Sequence, residues 1–241
     1  MATNGDHQKN NKEELYALRH STAHIMAQAV MRLFPEAKLA IGPPVDDPPG
    51  FYYDMELPRS LSSEDLEEIE NAMNDIVKEN HPFVHEEWDK DQAISFFHEK
   101  GQKYKLRLIE EKSEETAGEN VHVFRSGEFT DLCKGPHVNS TRECAHFKLL
   151  AVSGAYWKGD ARNEQLQRLY GTAWKTKKDL KAYLHQREEA KRRDHRKLGK
   201  ELGLFEQHPV APGAFFWLHK GTLLYNILSQ KSRRLHLREG Y

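Results

Sequence analysis

The chain has 241 residues, 30% of them charged, with 36 Lys or Arg against 37 Asp or Glu. That length can bury one core of ordinary size with material to spare, and the even charge balance excludes both a disordered polyelectrolyte and a uniformly basic nucleic-acid binder, so any nucleic-acid surface has to be local. No apolar run reaches the ~20 residues that a bilayer span requires, the start is polar, and Cys133 and Cys144 are too few for a disulfide framework; a cytoplasmic protein without membrane contact is expected.

Residues 1–14 show no apolar periodicity and are expected to be a flexible start. From Leu15 the pattern becomes helical, with Leu18, Ile25, Ala29 and Leu33 forming the buried stripe of a first helix that ends at Phe34-Pro35. A proline-rich connection through Pro43, Pro44, Pro48 and Pro49 leads into a strand at Phe51-Tyr52-Tyr53-Asp54. Ser62 and Ser63 before Glu64 and Asp65 predict a helix start, continued by Leu66, Ile69, Met73 and Ile76 and ended near His81-Pro82. Asp89 with Gln92 predicts a capped helix through Phe96-Phe97 to Gly101, and the alternation of Tyr104, Leu106 and Leu108 reads as a strand. Further strands are expected at residues 121–124, 146–152 and 165–170, with loops at Gly127, Gly135-Pro136 and Gly154. The order of elements predicts an α+β fold, mostly antiparallel sheet packed with helices and followed by a long linker helix.

That linker helix is expected from Lys175 to Lys200, where eleven Lys or Arg face four Asp or Glu, an excess of seven positive charges. Such a run serves either as a solvated connector or as a phosphate-binding surface, and the two roles can coexist. Pro209, Pro212 and Gly213 mark a boundary, followed by Phe215-Phe216-Trp217 and an amphipathic stretch through Leu223, Ile227 and Leu235.

Chemistry concentrates in two short patterns. His20 and His24 lie four apart on the first helix, which puts both imidazoles on one face; Cys133-Lys134-Gly135-Pro136-His137 places a thiol and a third imidazole either side of a Gly-Pro turn. Three nitrogens and a sulfur can bind zinc as four ligands, can form a metal-free site in which neutral histidines activate water at an ester, or can support a cysteine nucleophile. An HxxxH spacing alone is common in a chain with fourteen histidines; its pairing with a CxxxH loop is the more specific signal. Cys144 has no such company and is expected to be structural.

The strings Arg19-His20-Ser21-Thr22-Ala23-His24, Ile41-Gly42-Pro43, Gly50-Phe51-Tyr52-Tyr53-Asp54, Asp131-Leu132-Cys133-Lys134-Gly135-Pro136-His137 and Gly154-Ala155-Tyr156-Trp157-Lys158-Gly159-Asp160 resemble, in order and spacing, the editing domain of threonyl-tRNA synthetases. The resemblance runs on through Arg168-Leu169-Tyr170-Gly171-Thr172-Ala173-Trp174 and the basic stretch at residues 191–199. It implies an editing domain at 15–174, a basic linker helix at 175–205, and at 206–241 the beginning of a class II synthetase domain around its first motif. ATP would bind only in the remainder of that catalytic domain, past Tyr241, and a small ubiquitin-like domain would be absent before Leu15.

The same resemblance places His20, His24, Cys133, His137, Lys105 and Asp131 in a catalytic site, with Tyr53 and Lys158 as substrate-binding residues. It implies post-transfer hydrolysis of serine from threonine tRNA, with the 3′-terminal adenosine of that tRNA as partner. His20, His24 and Lys105 would position water and adenosine, and Cys133, His137 and Asp131 would hold the seryl group. No cofactor is expected to be required, although the related alanyl-type editing domains hold zinc through the same four-residue pattern; a zinc-dependent deacylase of that type and a non-catalytic tRNA-binding module are the alternatives. The full-length parent is expected to be a homodimer.

Overall fold

The computed structural model describes residues 4–115 and 120–241, and the side chains of residues 11–111 and 120–241. The chain divides into two compact units, Met1–Leu180 and Lys181–Tyr241.

The first unit is built around helix α1, Asn4–Leu33. It begins well before Leu15, where periodicity placed its start, so the expected flexible segment at 1–14 is helical from Asn4 onwards; residues 1–3 lie outside the described ones. Every residue from Ala17 to Val30 is buried, which makes this a central helix covered on all sides rather than one with a single apolar stripe. Leu18, Ile25 and Ala29 are buried as expected, but Leu33, at the helix end, is 39% exposed because the packing surface has ended. Short strands β1 (Lys38–Leu39) and β2 (Pro44–Val45) pair along one edge of β3 (Gly50–Glu56), whose Phe51, Tyr53 and Met55 point into the core by the period of two.

Helix α2 (Ser63–Glu79) starts where Ser62 and Ser63 predicted and carries a capping box: the Ser62 hydroxyl accepts from the Asp65 N–H and the Asp65 carboxylate accepts from the Ser62 N–H. Ile69, Met73 and Ile76 bury its apolar face against α1. An unforeseen strand, β4 (Val84–Trp88), follows; its exposed, charged residues carry no apolar alternation. Helix α3 (Lys90–Glu99) starts at Asp89, whose carboxylate accepts from the Gln92 N–H.

The strand expected over Tyr104, Leu106 and Leu108 is instead helix α4, Lys103–Glu115. The burial follows helical spacing, with Tyr104, Lys105 and Ile109 each at or below 3% exposure and Leu106 and Leu108 only half-buried. Strands β5 (Val121–Ser126) and β6 (Phe129–Leu132) join β4 in an antiparallel sheet of order β4-β5-β6, the turn between the last two holding Gly127 at φ 58°. Only the first of these two strands was expected.

After a 3₁₀ turn at Thr141–Cys144, β7 (Phe147–Tyr156) and β8 (Gln165–Ala173) complete the larger antiparallel sheet, order β1-β3-β8-β7 with β2 on β3. Gly154, expected in a loop, lies inside β7 opposite Gln167, so the strand runs beyond residue 152. This sheet packs one face on α1, giving the α+β architecture that composition and pattern implied. Cys144 is fully buried in that core, and burial pushes its thiol up to about 12.

The basic stretch is helical as α5 (Lys177–Arg192) and α6 (His195–Glu201), divided at Arg193-Asp194, where the Asp194 carboxylate accepts from the Arg196 N–H and caps the second helix. Within the second unit, β9 (Phe205–Glu206) and β10 (Phe216–Trp217) pair antiparallel and α7 (His219–Arg238) follows. Among the described residues no helix is long and apolar enough to cross a membrane.

Candidate active site

The core helix, the loop after β6 and the two sheets of the first unit bring one cluster of polar side chains together inside an otherwise apolar interior. His20 and His24 lie one turn apart on α1, their rings 5.2 Å between centroids, and both are buried. Cys133 and His137 reach the same place from the loop that Gly135, at φ 76°, turns back on itself. Cys133 Sγ lies 3.3 Å from His20 Nε2 and 3.2 Å from His137 Nε2, and accepts the Gly135 N–H at 3.2 Å. The His137 ring lies 4.4 Å from both α1 imidazoles, and one ligand atom from each of the four residues falls within 4.8 Å of all the others.

Ser21, which spacing alone did not single out, orients this arrangement. Its fully buried hydroxyl accepts the Val138 N–H at 3.0 Å and lies 3.0 Å from His137 Nδ1. With the backbone donor on the oxygen, the hydroxyl hydrogen is free to donate to Nδ1, which leaves Nε2 to carry the ring proton toward the Cys133 sulfur. Phe83 stacks on the same ring at 5.1 Å and 10°, and Phe124 packs against it at 4.2 Å.

Beside the quartet sits a buried charge pair. Lys105, in the first turn of α4, meets Asp131 of β6 at 2.5 Å, and Tyr53 of β3 donates its hydroxyl to Asp131 Oδ2 at 2.5 Å while accepting from Lys105 Nζ at 2.9 Å. The other carboxylate oxygen also accepts the Leu132 N–H. The pair is therefore hydrogen-bonded as well as ion-paired, the condition under which burying two charges is tolerable. His24 Nε2 lies 3.6 Å from Asp131, which joins the two groups.

Burial drives all three imidazoles of the quartet below the ordinary histidine value. For His20 the nearby Asp131 charge opposes that shift; for His24 and His137 the neighbouring histidines add to it, leaving both well below. All three are consequently neutral at neutral pH. Tyr53 is pushed well above the ordinary phenol range, first by burial and then by Asp131, and stays protonated as the donor its geometry requires. Two imidazole nitrogens, Nδ1 of His20 and Nδ1 of His24, have no partner among the described residues.

A cleft of about 160 Å³ opens onto the cluster, lined by His20, His24, Tyr53, Lys105 and Asp131 together with Tyr16 and the segment Ile41–Pro44. Gly42 is needed there: a Cβ on it would lie 2.1 Å from the Tyr53 ring. Seven of the eight side chains expected at the site are thus assembled in one place. The exception is Lys158, which is absent from the cleft lining and pairs with Glu111 at 2.5 Å beside Trp157.

The four donors fit a tetrahedral metal ion as a set, since imidazole and thiolate are the ligands zinc selects. The site can equally present neutral imidazoles to a water molecule, so its geometry alone allows both coordination and proton abstraction.

Residues 121–170 match the family described as the threonyl and alanyl tRNA synthetase second additional domain. Proteins named threonine–tRNA ligase are similar along nearly the whole chain. That of Symbiobacterium thermophilum is 52% identical over 231 residues, covering 96% of this chain and 35% of the relative. That of Teredinibacter turnerae is 49% identical over 229 residues, covering 95% and 35%, and that of Wolbachia from Drosophila simulans is 47% identical over 234 residues, covering 97% and 36%. The chain spans about a third of the length of these curated relatives.

Proposed function

This chain is a threonyl-tRNA synthetase region that carries the second additional domain, and from that premise we propose that it edits: it hydrolyses the ester of serine wrongly joined to the terminal adenosine of threonine tRNA. The observation that carries this reading is the convergence of His20, His24, Cys133 and His137 in one cluster, whose two α1 histidines line a cleft together with the Lys105–Asp131–Tyr53 group.

The chemistry demanded is modest. Serine is threonine less one methyl group, and one methyl contact discriminates by only about 1–3 kcal/mol, so a second site that accepts the smaller ester and clashes with the larger supplies the missing accuracy. Hydrolysis then needs a positioned ester and a water molecule beside a base. His20 and His24 meet the second requirement as neutral imidazoles that line the cleft. Tyr53 acts here as a positioning residue, holding the Asp131 carboxylate and the Lys105 ammonium at the cleft wall. Cys133 and His137 join the cluster beside His20, and with Asp131 are assigned to hold the seryl moiety. Lys158 has no part in this scheme.

A second reading rests on the quartet's fit to zinc. Bound there, zinc would take three imidazoles and a thiolate, closing its tetrahedron with no open position for water. Hydrolysis is therefore assigned to the metal-free state, and a chelator is expected to leave the rate unchanged. The partner is threonine tRNA in the cytoplasm, and the parent ligase is expected to work as a homodimer.

The test is deacylation of seryl-tRNA of the threonine isoacceptor, with and without chelator. His20→Ala and His24→Ala are each expected to slow it by roughly 10²- to 10⁴-fold, the usual contribution of a positioned general base. Unchanged rates in both variants would overturn the assignment, and tRNA binding without any hydrolysis by the wild type would leave a tRNA-binding module in its place.

A further inference from the structure

We propose that His85, Glu87 and His122 form a second metal site, for a divalent transition ion such as zinc, on the outer part of the β4–β5 sheet and separate from the quartet. The donors come from two paired strands. Glu87 of β4 lies opposite His122 of β5, and His85, two residues earlier on β4, falls on the same face by the period of two. His85 Nε2 lies 3.1 Å from His122 Nδ1, with the rings stacked at 5.2 Å and 14°, and His122 Nδ1 lies 3.9 Å from a Glu87 oxygen. One ligand atom from each residue falls within 4.8 Å of the other two.

These separations suit a small ion. Zinc–nitrogen bonds of about 2.0–2.1 Å at tetrahedral angles put ligand atoms roughly 3.3–3.4 Å apart, between the two spacings observed. Two imidazoles and one carboxylate, with a position left for water, are a donor set for zinc and its neighbours in the first transition row rather than for magnesium or calcium, which select oxygen. Binding needs no net change of protons on the histidines: the hydrogen now shared between the two rings moves to the other nitrogen of its own ring, and the ion takes its place.

A comparable group, Glu79, His81 and Glu128, is already neutralised by Arg32, whose guanidinium lies 2.7 Å from one carboxylate and 2.6 Å from the other. Among the described residues no lysine or arginine pairs with Glu87, so that carboxylate remains available to an ion.

The position gives the site a consequence. The His122 carbonyl accepts the Cys133 N–H at 3.0 Å, and the Phe124 ring lies 5.0 Å from His85 and 4.2 Å from His137. An ion joining β4 to β5 would therefore fasten the strand on which the cysteine loop hangs.

Zinc titration by calorimetry of three metal-free proteins tests this: wild type, His85→Ala/His122→Ala, and Cys133→Ala/His137→Ala. The last variant is expected to retain one zinc equivalent, and its zinc-edge absorption to show two imidazoles with oxygen and no sulfur. The first variant is expected to bind one equivalent fewer than wild type. Glu87→Gln, an exposed change that leaves the strand pairing intact, is expected to weaken this equivalent by about tenfold or more, since even the outer partners of metal ligands are worth 10- to 100-fold. Equal stoichiometry and affinity with and without His85 and His122, or no zinc bound by the Cys133→Ala/His137→Ala protein, overturns the proposal and leaves a hydrogen-bonded histidine pair on a strand. Deacylation by the zinc-free proteins is a separate readout, so failure of this site and failure of the editing assignment are distinguishable.

Discussion

At the residue scale the cluster behaves as a set of buried neutral bases, and this has a measurable effect on stability. The folded His20, His24 and His137 resist protonation, whereas each takes up a proton near pH 6.5 once unfolded. The unfolded state then binds more protons than the folded one below that pH, so stability is complete above it and falls as pH drops, by up to roughly 1.4 kcal/mol per pH unit for each histidine. Urea unfolding at pH 7 and pH 5 should show this loss, and His24→Asn should reduce it by about one histidine's share; an unchanged pH dependence contradicts the burial argument. Gly42→Ala, whose new methyl would meet the buried Tyr53 ring, should lower deacylation by displacing the Tyr53 hydroxyl and lower the melting temperature as well; undiminished deacylation would show that the ring gives way freely. The histidines and Cys133 were legible from spacing, because HxxxH and CxxxH place side chains together locally. Lys105, Asp131 and Tyr53 came only through resemblance, since nothing local links residues that meet across 52 and 78 positions of chain. Ser21 was not singled out, because its role exists only once Val138 arrives from 117 residues away.

At the element scale, cap chemistry was the most dependable signal and short alternation the least. The Ser62 and Asp89 caps stand where the sequence put them. Ser62→Ala removes one side-chain acceptor from the start of α2, and a loss of about 1 kcal/mol is expected in urea unfolding; a change within error would mean that the Asp65 contacts to Arg59 and to the Ser62 N–H hold the helix start alone. The misread α4 shows why alternation over three apolar residues is ambiguous. Tyr104 and Leu108 are also i and i+4, and the side chain that completes the buried face is the charged Lys105, whose burial depends on an aspartate from another strand. Strands β4 and β6 escaped notice because one is charged and exposed and the other is four residues long.

At the scale of the whole molecule, the near-zero net charge hides a division, with an excess of seven positive charges over residues 175–200. Part of that charge is spent within the helices, in pairs such as Lys191–Glu188, Arg192–Glu189 and Arg196–Asp194. Lys177, Lys178 and Lys181 have no such pair among the described residues and are the better candidates for binding phosphate. Replacing all three with alanine should weaken tRNA binding and flatten its dependence on salt, by up to about 0.9 in the log–log slope for each phosphate no longer neutralised. An unchanged slope would make the stretch a solvated connector. The central claim concerns the cleft itself, and single-turnover deacylation of seryl- and threonyl-tRNA of the threonine isoacceptor by the metal-free chain tests it most directly. The account predicts rapid loss of serine, with threonine retained; equal rates for the two esters, or no hydrolysis of either, would contradict it.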